Sequence, residues 1–182
     1  TVDTKTIAAI DKLNVALGDE FGGDSKQIVQ DVGKLKQVFT EFAGQDYGDS
    51  VLKIGNALNV LSSTGASTAP VITDFSNRIA GTVGPLGVSA GSVLGVSATL
   101  QELGTNAERG ATGFSRVIGE ITKSPDAFAK TLGITKEAVK GVNAEATSFK
   151  DLVNRDLFGA FTLVLKRLNE LNLSNSDFAS TL

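Results

Sequence analysis

The stretch IAGTVGPLGVSAGSVLGVSATL, residues 79–100, contains no charged side chain over 22 positions. It lies inside a wider region, residues 62–101, in which Asp74 and Arg78 are the only charged residues. Because about 20 apolar residues cross a bilayer core, length alone favours a membrane span. The fold therefore depends on whether this stretch crosses a membrane or forms the buried centre of a helical domain.

The composition of the stretch argues against a span. It holds five glycines, five Ser or Thr residues and Pro85, and a helix broken in lipid needs other helices or water to satisfy its backbone. We predict instead that residues 79–100 form a helix end, a glycine-rich turn and a buried helix. If helical, the evenly spaced Gly87, Gly91 and Gly95 would form a flat strip that another backbone can approach.

The overall composition excludes several classes of function. The 17 basic side chains are mixed among 20 acidic ones, for a net charge of -3, so nucleic-acid binding is not predicted. The chain has no Cys and no His, which excludes disulfides, thiolate nucleophiles and imidazole ligands or bases. Stability must therefore come from packing and helix propensity.

The length of 182 residues fits one domain of ordinary size or two small ones, and length does not decide between these. We expect residues 1–182 to form a single all-helical domain, and place any subdivision near residues 104–106, where one helix ends and the next begins. The chain starts at Thr1 and contains no Met, from which we expect a segment cut from a longer protein.

Apolar residues recur at helical spacing along the chain, and strand patterns are scarce. The predicted fold is all-α, a compact bundle of about eight short-to-medium helices with glycine-rich turns. The predicted inward faces are Ile7, Ile10, Leu13, Leu17; Ile28, Val29, Val32, Leu35, Val38, Phe39, Phe42; Val51, Ile54, Leu58, Leu61; Val71, Ile72, Phe75, Ile79; Val93, Leu94, Val96, Leu100, Leu103; and Phe114, Val117, Ile118, Ile121.

Helix caps and stops divide these faces from one another. The predicted caps are Asp3 or Thr4, Asp24 or Ser25, Asp46, Ser89 or Ser92, Asn106 and Thr135, and the predicted stops are Gly18, Gly44, Gly104 and Gly133. Leucine and phenylalanine become frequent over residues 149–171, which we predict to be the most helical part. Residues 174–182 resemble the start of one more helix.

Catalytic signatures are not found in the sequence. GTVGPLG is rich in glycine but lacks the Lys and Ser or Thr of a phosphate-binding loop, so we interpret it as a turn. Glu102 interrupts the uncharged region, and we expect it to act near a helix cap or towards a partner rather than in catalysis. The prediction is no enzyme, with no catalytic residue, no cofactor site and no metal site.

Several phrases, taken in order, resemble one family. They are KLKQVF (34–39), KIGNALNVL (53–61), ITDFSNRIAG (72–81), SVLGVSATLQELGTNAERGATGF (92–114), DAFAKTLGIT (126–135) and LVLKRLNEL (163–171). Together they resemble the tail tape measure proteins of phages and prophages, in particular the versions found in Bacteroidetes genomes.

This resemblance implies a long, mostly helical structural protein that fills the tail tube during assembly, sets its length and leaves before DNA delivery. It implies the virion tail interior as location, the host cytoplasm during assembly, and tail tube proteins, tail tip proteins or further copies of itself as partners. With 20 glycines, the chain departs from the extended coil that would measure length. Some tape measures carry peptidoglycan-cleaving domains, but no matching signature occurs here.

Two hypotheses of function follow. In the first, the chain is a structural segment that acts in tail assembly and tail-length determination by packing its helices against itself or other tail proteins. In the second, residues 79–100 leave the bundle and help DNA pass the host inner membrane, although membrane contact is the less favoured expectation.

Overall fold

A computed structural model describes residues 4–171, and in that range it contains helices and no strand. The predicted all-α class is confirmed, with ten α-helices in place of about eight. Their bounds are α1 Thr4–Leu17, α2 Ser25–Val38, α3 Tyr47–Thr64, α4 Ala69–Val83, α5 Ala90–Glu102, α6 Ala107–Lys123, α7 Pro125–Leu132, α8 Lys136–Val142, α9 Phe149–Arg155 and α10 Leu157–Glu170. Two short 3₁₀ helices, Thr40–Phe42 and Gly84–Leu86, lie between them.

The chain divides into two compact units, Thr1–Phe114 (unit 1) and Ser115–Leu182 (unit 2). The division falls within α6, after the residues 104–106 where a subdivision was expected. The single-domain organisation of residues 1–182 stays a prediction. Two predicted features, an Asp3 cap and the helix start at 174–182, lie outside the described residues.

Helices α1 and α3 of unit 1 run in the same direction and approach each other closely. Lys5 near the start of α1 pairs with Asp49 near the start of α3, 2.7 Å between Nζ and Oδ2. Further along, Gly55 leaves no room for a Cβ because the side chain of Leu13 fills that space. Small residues at this interface therefore allow two backbones to come together.

Close packing also explains one error in the predicted faces. The inward residues of α1 are Thr6, Ala9, Leu13 and Leu17, whereas Ile7 is 50% exposed. Ala9 lies against Gly48 of α3, where a Cβ would come within 3.4 Å of it. Contacts with α3 rather than the size of the apolar side chains thus determine which face of α1 is inward.

Helices α4 and α5 cover α2 and α3 and complete unit 1. Pro70 lies in the first turn of α4, and α5 begins as predicted, since Ser89 accepts a hydrogen bond from the amide of Ser92 at 3.1 Å. The predicted inward position of Leu103 is wrong, since its side chain is 74% exposed. It follows the end of α5 and precedes Gly104, whose positive φ of 75° turns the chain away.

Unit 2 is organised around α10, which contacts α7, α8 and α9. The leucine-rich part predicted over residues 149–171 is two helices, because Asp156 interrupts it with φ -150° and ψ 79°. Its carboxylate accepts a hydrogen bond from the amide of Gly159 at 2.8 Å and so begins α10. Leu165 and Leu171 of this part are exposed at the surface.

Candidate functional site

The uncharged stretch 79–100 supplies much of the core of unit 1. It forms the end of α4, the 3₁₀ helix Gly84–Leu86, a turn at Gly87 and most of α5. This agrees with the predicted helix end, glycine-rich turn and buried helix. Ile79, Val83, Val93 and Leu94 are fully buried. Among residues 4–171, no helix is both long enough and apolar enough to cross a membrane.

The predicted glycine strip is not a packing surface in unit 1. Gly87 has a φ of 80° and lies outside α5, because it reverses the chain before Ser89. A Cβ on Gly95 would meet no atom within 4 Å, and one on Gly91 would only touch Ser89. The close approach occurs at Gly84 instead, where a Cβ would lie 2.9 Å from the carbonyl oxygen of Val38 in α2.

Glu102, the acid singled out from the sequence, binds backbone. Its Oε1 accepts a hydrogen bond from the amide of Ala66 at 3.1 Å and lies against Gly65, so it joins the end of α5 to the turn before α4. This position matches the expected role near a helix cap. Glu108, in the first turn of α6, is exposed.

Two further glutamates in unit 1 also bind backbone amides, and no sequence pattern indicated them. Glu20 follows α1, and its Oε2 accepts from the amide of Ala69, the first residue of α4, at 2.6 Å. Glu41 lies in the first 3₁₀ helix, and its Oε1 accepts from the amide of Ala90, the first residue of α5, at 2.8 Å. The free amides at a helix start and the helix dipole both favour a carboxylate there.

Glu20 accepts a hydrogen bond from the start of α4, which has no capping side chain of its own. Thr68 precedes α4, but its side chain makes no capping hydrogen bond. The second oxygen of Glu20 accepts from the hydroxyl of Ser62 near the end of α3, at 2.7 Å. One carboxylate from the α1–α2 turn therefore fixes both sides of the turn between α3 and α4.

A buried polar contact joins α4 to α5. The hydroxyl of Ser76 donates to Oγ of Ser97 at 2.9 Å, and Ser97 in turn donates to the carbonyl of Val93 at 2.8 Å. Both serines are fully buried. This chain of hydrogen bonds satisfies every donor, as burial of hydroxyl groups requires.

Unit 2 contains a groove of about 440 Å³ between α8 and α10. Apolar residues such as Ile134 and Leu163 line it together with Lys166, Arg167 and Glu137. The Arg167 guanidinium is already engaged, because its Nε donates to the carbonyl of Leu132 at 2.7 Å and its Nη1 lies 3.1 Å from Glu170. The groove thus carries both signs of charge and a guanidinium held by the protein itself.

The acids of unit 2 whose pKa is shifted, Asp151 and Glu137, also lie in helix caps or ion pairs. Hydrogen bonds from the amide of Thr147 and from the Arg155 guanidinium lower the pKa of the Asp151 carboxyl. Hydrogen bonds from its own amide and from Thr135 lower the pKa of Glu137. These shifts follow from contacts that stabilise helix ends.

Groups of His, Cys, Asp or Glu that could hold a metal ion do not occur within residues 4–171. Several of the described acids instead bind amides, hydroxyls or basic side chains. The geometry is that of a protein whose polar groups connect helices to one another.

Comparison with known proteins gives one match. A family model described as phage-related minor tail protein matches residues 3–181, which include both compact units. No curated protein and no solved structure matches the chain.

Proposed function

We propose, from the premise that this chain belongs to the family of phage-related minor tail proteins, that it is a folded segment of a tail tape measure protein. The family match over residues 3–181 is the observation that carries the proposal, since it extends over nearly the whole chain. The ordered phrases that resemble tape measures of Bacteroidetes phages and prophages support the finer assignment.

The proposed role is structural and acts through helix packing. The longest helix, α3, has 18 residues and spans about 27 Å, so the segment contributes compact bundles rather than an extended ruler. In this proposal the parent protein determines tail length, and the segment contacts itself or other tail proteins during assembly. Its location is then the tail interior, and the host cytoplasm before the tail is complete.

Exposed apolar side chains provide the test of partner binding. Val15, Val60 and Leu103 of unit 1 are exposed, so changing all three to Ser removes apolar surface without opening the core. Tail tube and tail tip proteins should be captured by the wild-type chain and less by this variant. Asn56→Ala, at another exposed position, is the matched control and should bind as wild type does.

Self-association is tested alongside by size-exclusion chromatography with light scattering. Concentration-dependent growth in mass supports packing between copies. A chain that stays monomeric and captures neither tail tube nor tail tip protein would refute the structural role.

A non-enzymatic role is part of the proposal. Glu102 and Glu108 are the acids to test, because the first binds a loop amide and the second is exposed at a helix start. The double variant E102Q/E108Q should differ from wild type in stability alone. Peptidoglycan release by wild type that disappears in the variant would overturn this part.

A second candidate function is membrane activity. It is supported by the absence of charge over residues 79–100 and by the apolar inner faces of α4 and α5. In this candidate the stretch leaves the bundle and helps DNA pass the host inner membrane. Liposome leakage measures it directly, and a chain that neither binds nor permeabilises liposomes, even when loosened by mild denaturant, excludes it.

A further inference from the structure

Residues 66–102, which we call the α4–α5 segment, are joined internally by uncharged contacts and by one carboxylate. The hydroxyl of Ser67 donates to the carbonyl of Ala98 at 3.2 Å, and Ser76 binds Ser97 inside the core. Glu102 binds the amide of Ala66 and so holds the two ends of the segment together. The segment therefore has contacts that do not depend on the rest of unit 1.

Helices α1 to α3 also hold one another without the segment. Lys5 bridges α1 to Asp46 and Asp49 at 3.6 and 2.7 Å, and the hydrogen bond that it donates to Asp49 raises the pKa of the lysine. Gly48 and Gly55 let α3 lie directly against α1. Unit 1 thus contains two sets of helices with strong internal contacts.

Glu20 and Glu41 supply carboxylate contacts between these two sets. Each binds the first amide of one segment helix, Ala69 in α4 and Ala90 in α5. The remaining contacts are the hydrogen bond from the side-chain amide of Asn77 in α4 to the carbonyl of Asp31 in α2, at 3.5 Å, and apolar packing on α2 and α3, including the contact of Gly84 with Val38. Because carboxylate–amide hydrogen bonds are among the stronger ones, the two glutamates contribute directly to holding the segment in place.

We propose that the α4–α5 segment opens from α1–α3 as one cooperative unit, and that Glu20 and Glu41 together set the free energy of this opening. Proteins open in contiguous cooperative units, and hydrogen exchange detects such an opening because helices of this length lose most of their stability without their packing partners and exchange their amides. Opening exposes the apolar inner faces of α4 and α5 while Asp74 and Arg78 stay paired with each other on α4. The segment is thus the part of unit 1 that can be offered to an apolar partner without unfolding α1–α3.

Hydrogen exchange by mass spectrometry on the whole 182-residue chain tests the proposal. In the variant E20Q/E41Q, protection should fall about tenfold in α4 and α5 alike and stay unchanged in α2 and α3. Tenfold corresponds to about 1.4 kcal/mol. The charge-matched control is D11N/D19N, whose exposed carboxylates make no hydrogen bond or ion pair with any part of the described chain, and it should exchange as wild type does.

Two exchange patterns would overturn the proposal. In one, E20Q alone exposes α4 while α5 keeps its protection, so each glutamate is a cap for its own helix. In the other, α1–α3 lose protection together with the segment, so unit 1 has no separate opening. The helix content of every variant is measured first by circular dichroism, so that a chain that fails to fold is recognised.

A disulfide within the segment provides a second, independent measurement. The chain has no Cys, and Oγ of Ser76 lies 2.9 Å from Oγ of Ser97, so S76C/S97C places two thiols within bonding reach. If the segment opens as one unit, the oxidised and reduced forms of this variant should show the same protection in α4 and α5 to within about threefold. Protection that rises at least tenfold on oxidation would show that α4 and α5 separate from each other, against the proposal.

Discussion

The close approach of α4 to α2 at Gly84 leads to a quantitative prediction for Gly84→Ala. Gly84 has the helical angles φ -58° and ψ -48°, and because Pro85 follows, a residue with a Cβ is disfavoured in this conformation. Its Cβ would lie 2.8 Å from Cγ1 and 2.9 Å from the carbonyl oxygen of Val38, whereas ordinary contacts begin at 3.4 Å. Helix α2 must therefore move by about 0.5 Å relative to α4.

The expected change in stability is the sum of two opposing effects. Overpacking of this kind costs about 1–3 kcal/mol, and here a backbone rather than the end of a side chain has to move. Replacing glycine by alanine returns about 0.5–1 kcal/mol, because the unfolded chain loses freedom. We expect G84A to lower the free energy of unfolding by about 1–2 kcal/mol, or Tm by roughly 2–8 °C for a chain of this size.

Gly81→Ala is the matched control, three residues earlier in the same helix. A Cβ at Gly81 meets nothing within 4 Å, so only the gain from reduced freedom and higher helix propensity remains. G81A should raise Tm by about 1–4 °C in the same thermal unfolding experiment followed by circular dichroism. A G84A variant as stable as wild type would contradict the predicted overpacking at this position. Changes of Tm in the same direction in G81A and G84A would contradict it as well.

Three other changes test contacts of single carboxylates. Asp156→Ala removes the acceptor for the amide of Gly159 and should cost about 1 kcal/mol in urea unfolding; an unchanged midpoint would contradict its role as the cap of α10. Glu102→Ala should lower stability by about 0.5–1 kcal/mol through one exposed hydrogen bond, with chemical denaturation as the measurement. Because the folded-state pKa of Asp151 lies below its ordinary 3.8, its contribution is complete above about pH 4 and lost as pH falls through the folded value. Urea midpoints at about pH 6 and pH 3 should therefore differ less in Asp151→Asn than in wild type.

Local signals predicted the helix ends well. Asp24 and Asp46 begin α2 and α3 by accepting from amides three residues ahead, as their sequence positions indicated. Thr135 does the same for α8. Gly133 ends α7 with a φ of 60°. These features depend on a few neighbouring residues, so they are visible in one sequence.

The incorrect predictions arise where contacts with residues distant in the sequence determine which side of a helix is buried. Ala9 rather than Ile7 is an inward residue of α1, and it lies against Gly48, about forty positions away. A spacing of three and four residues fits both choices, so periodicity does not distinguish them. Periodicity is also insufficient at Gly91 and Gly95, whose spacing suggests a helix contact that the described residues do not make.

The carboxylates that make structural contacts could be predicted from the sequence only in part. Glu102 attracts attention because it ends an uncharged region, whereas Glu20 follows another acid, Asp19, and Glu41 lies between Thr40 and Phe42, so neither is distinguished by its neighbours. The break at Asp156 was missed because the leucine and phenylalanine pattern continues across it. A single Asp inside a strong apolar pattern is therefore worth reading as a cap.

The positions of Glu20 and Glu41 have a consequence for synthesis of the chain. Each lies 49 residues ahead of the amide that it binds. At 5–20 residues per second, roughly 2–10 seconds pass between the synthesis of each glutamate and that of its partner amide. Helices α4 and α5 can cover α1 to α3 only after this interval. During that time the apolar faces of α2 and α3 are open to other chains, so the rate of translation through residues 66–102 sets how long unit 1 is exposed to misassembly.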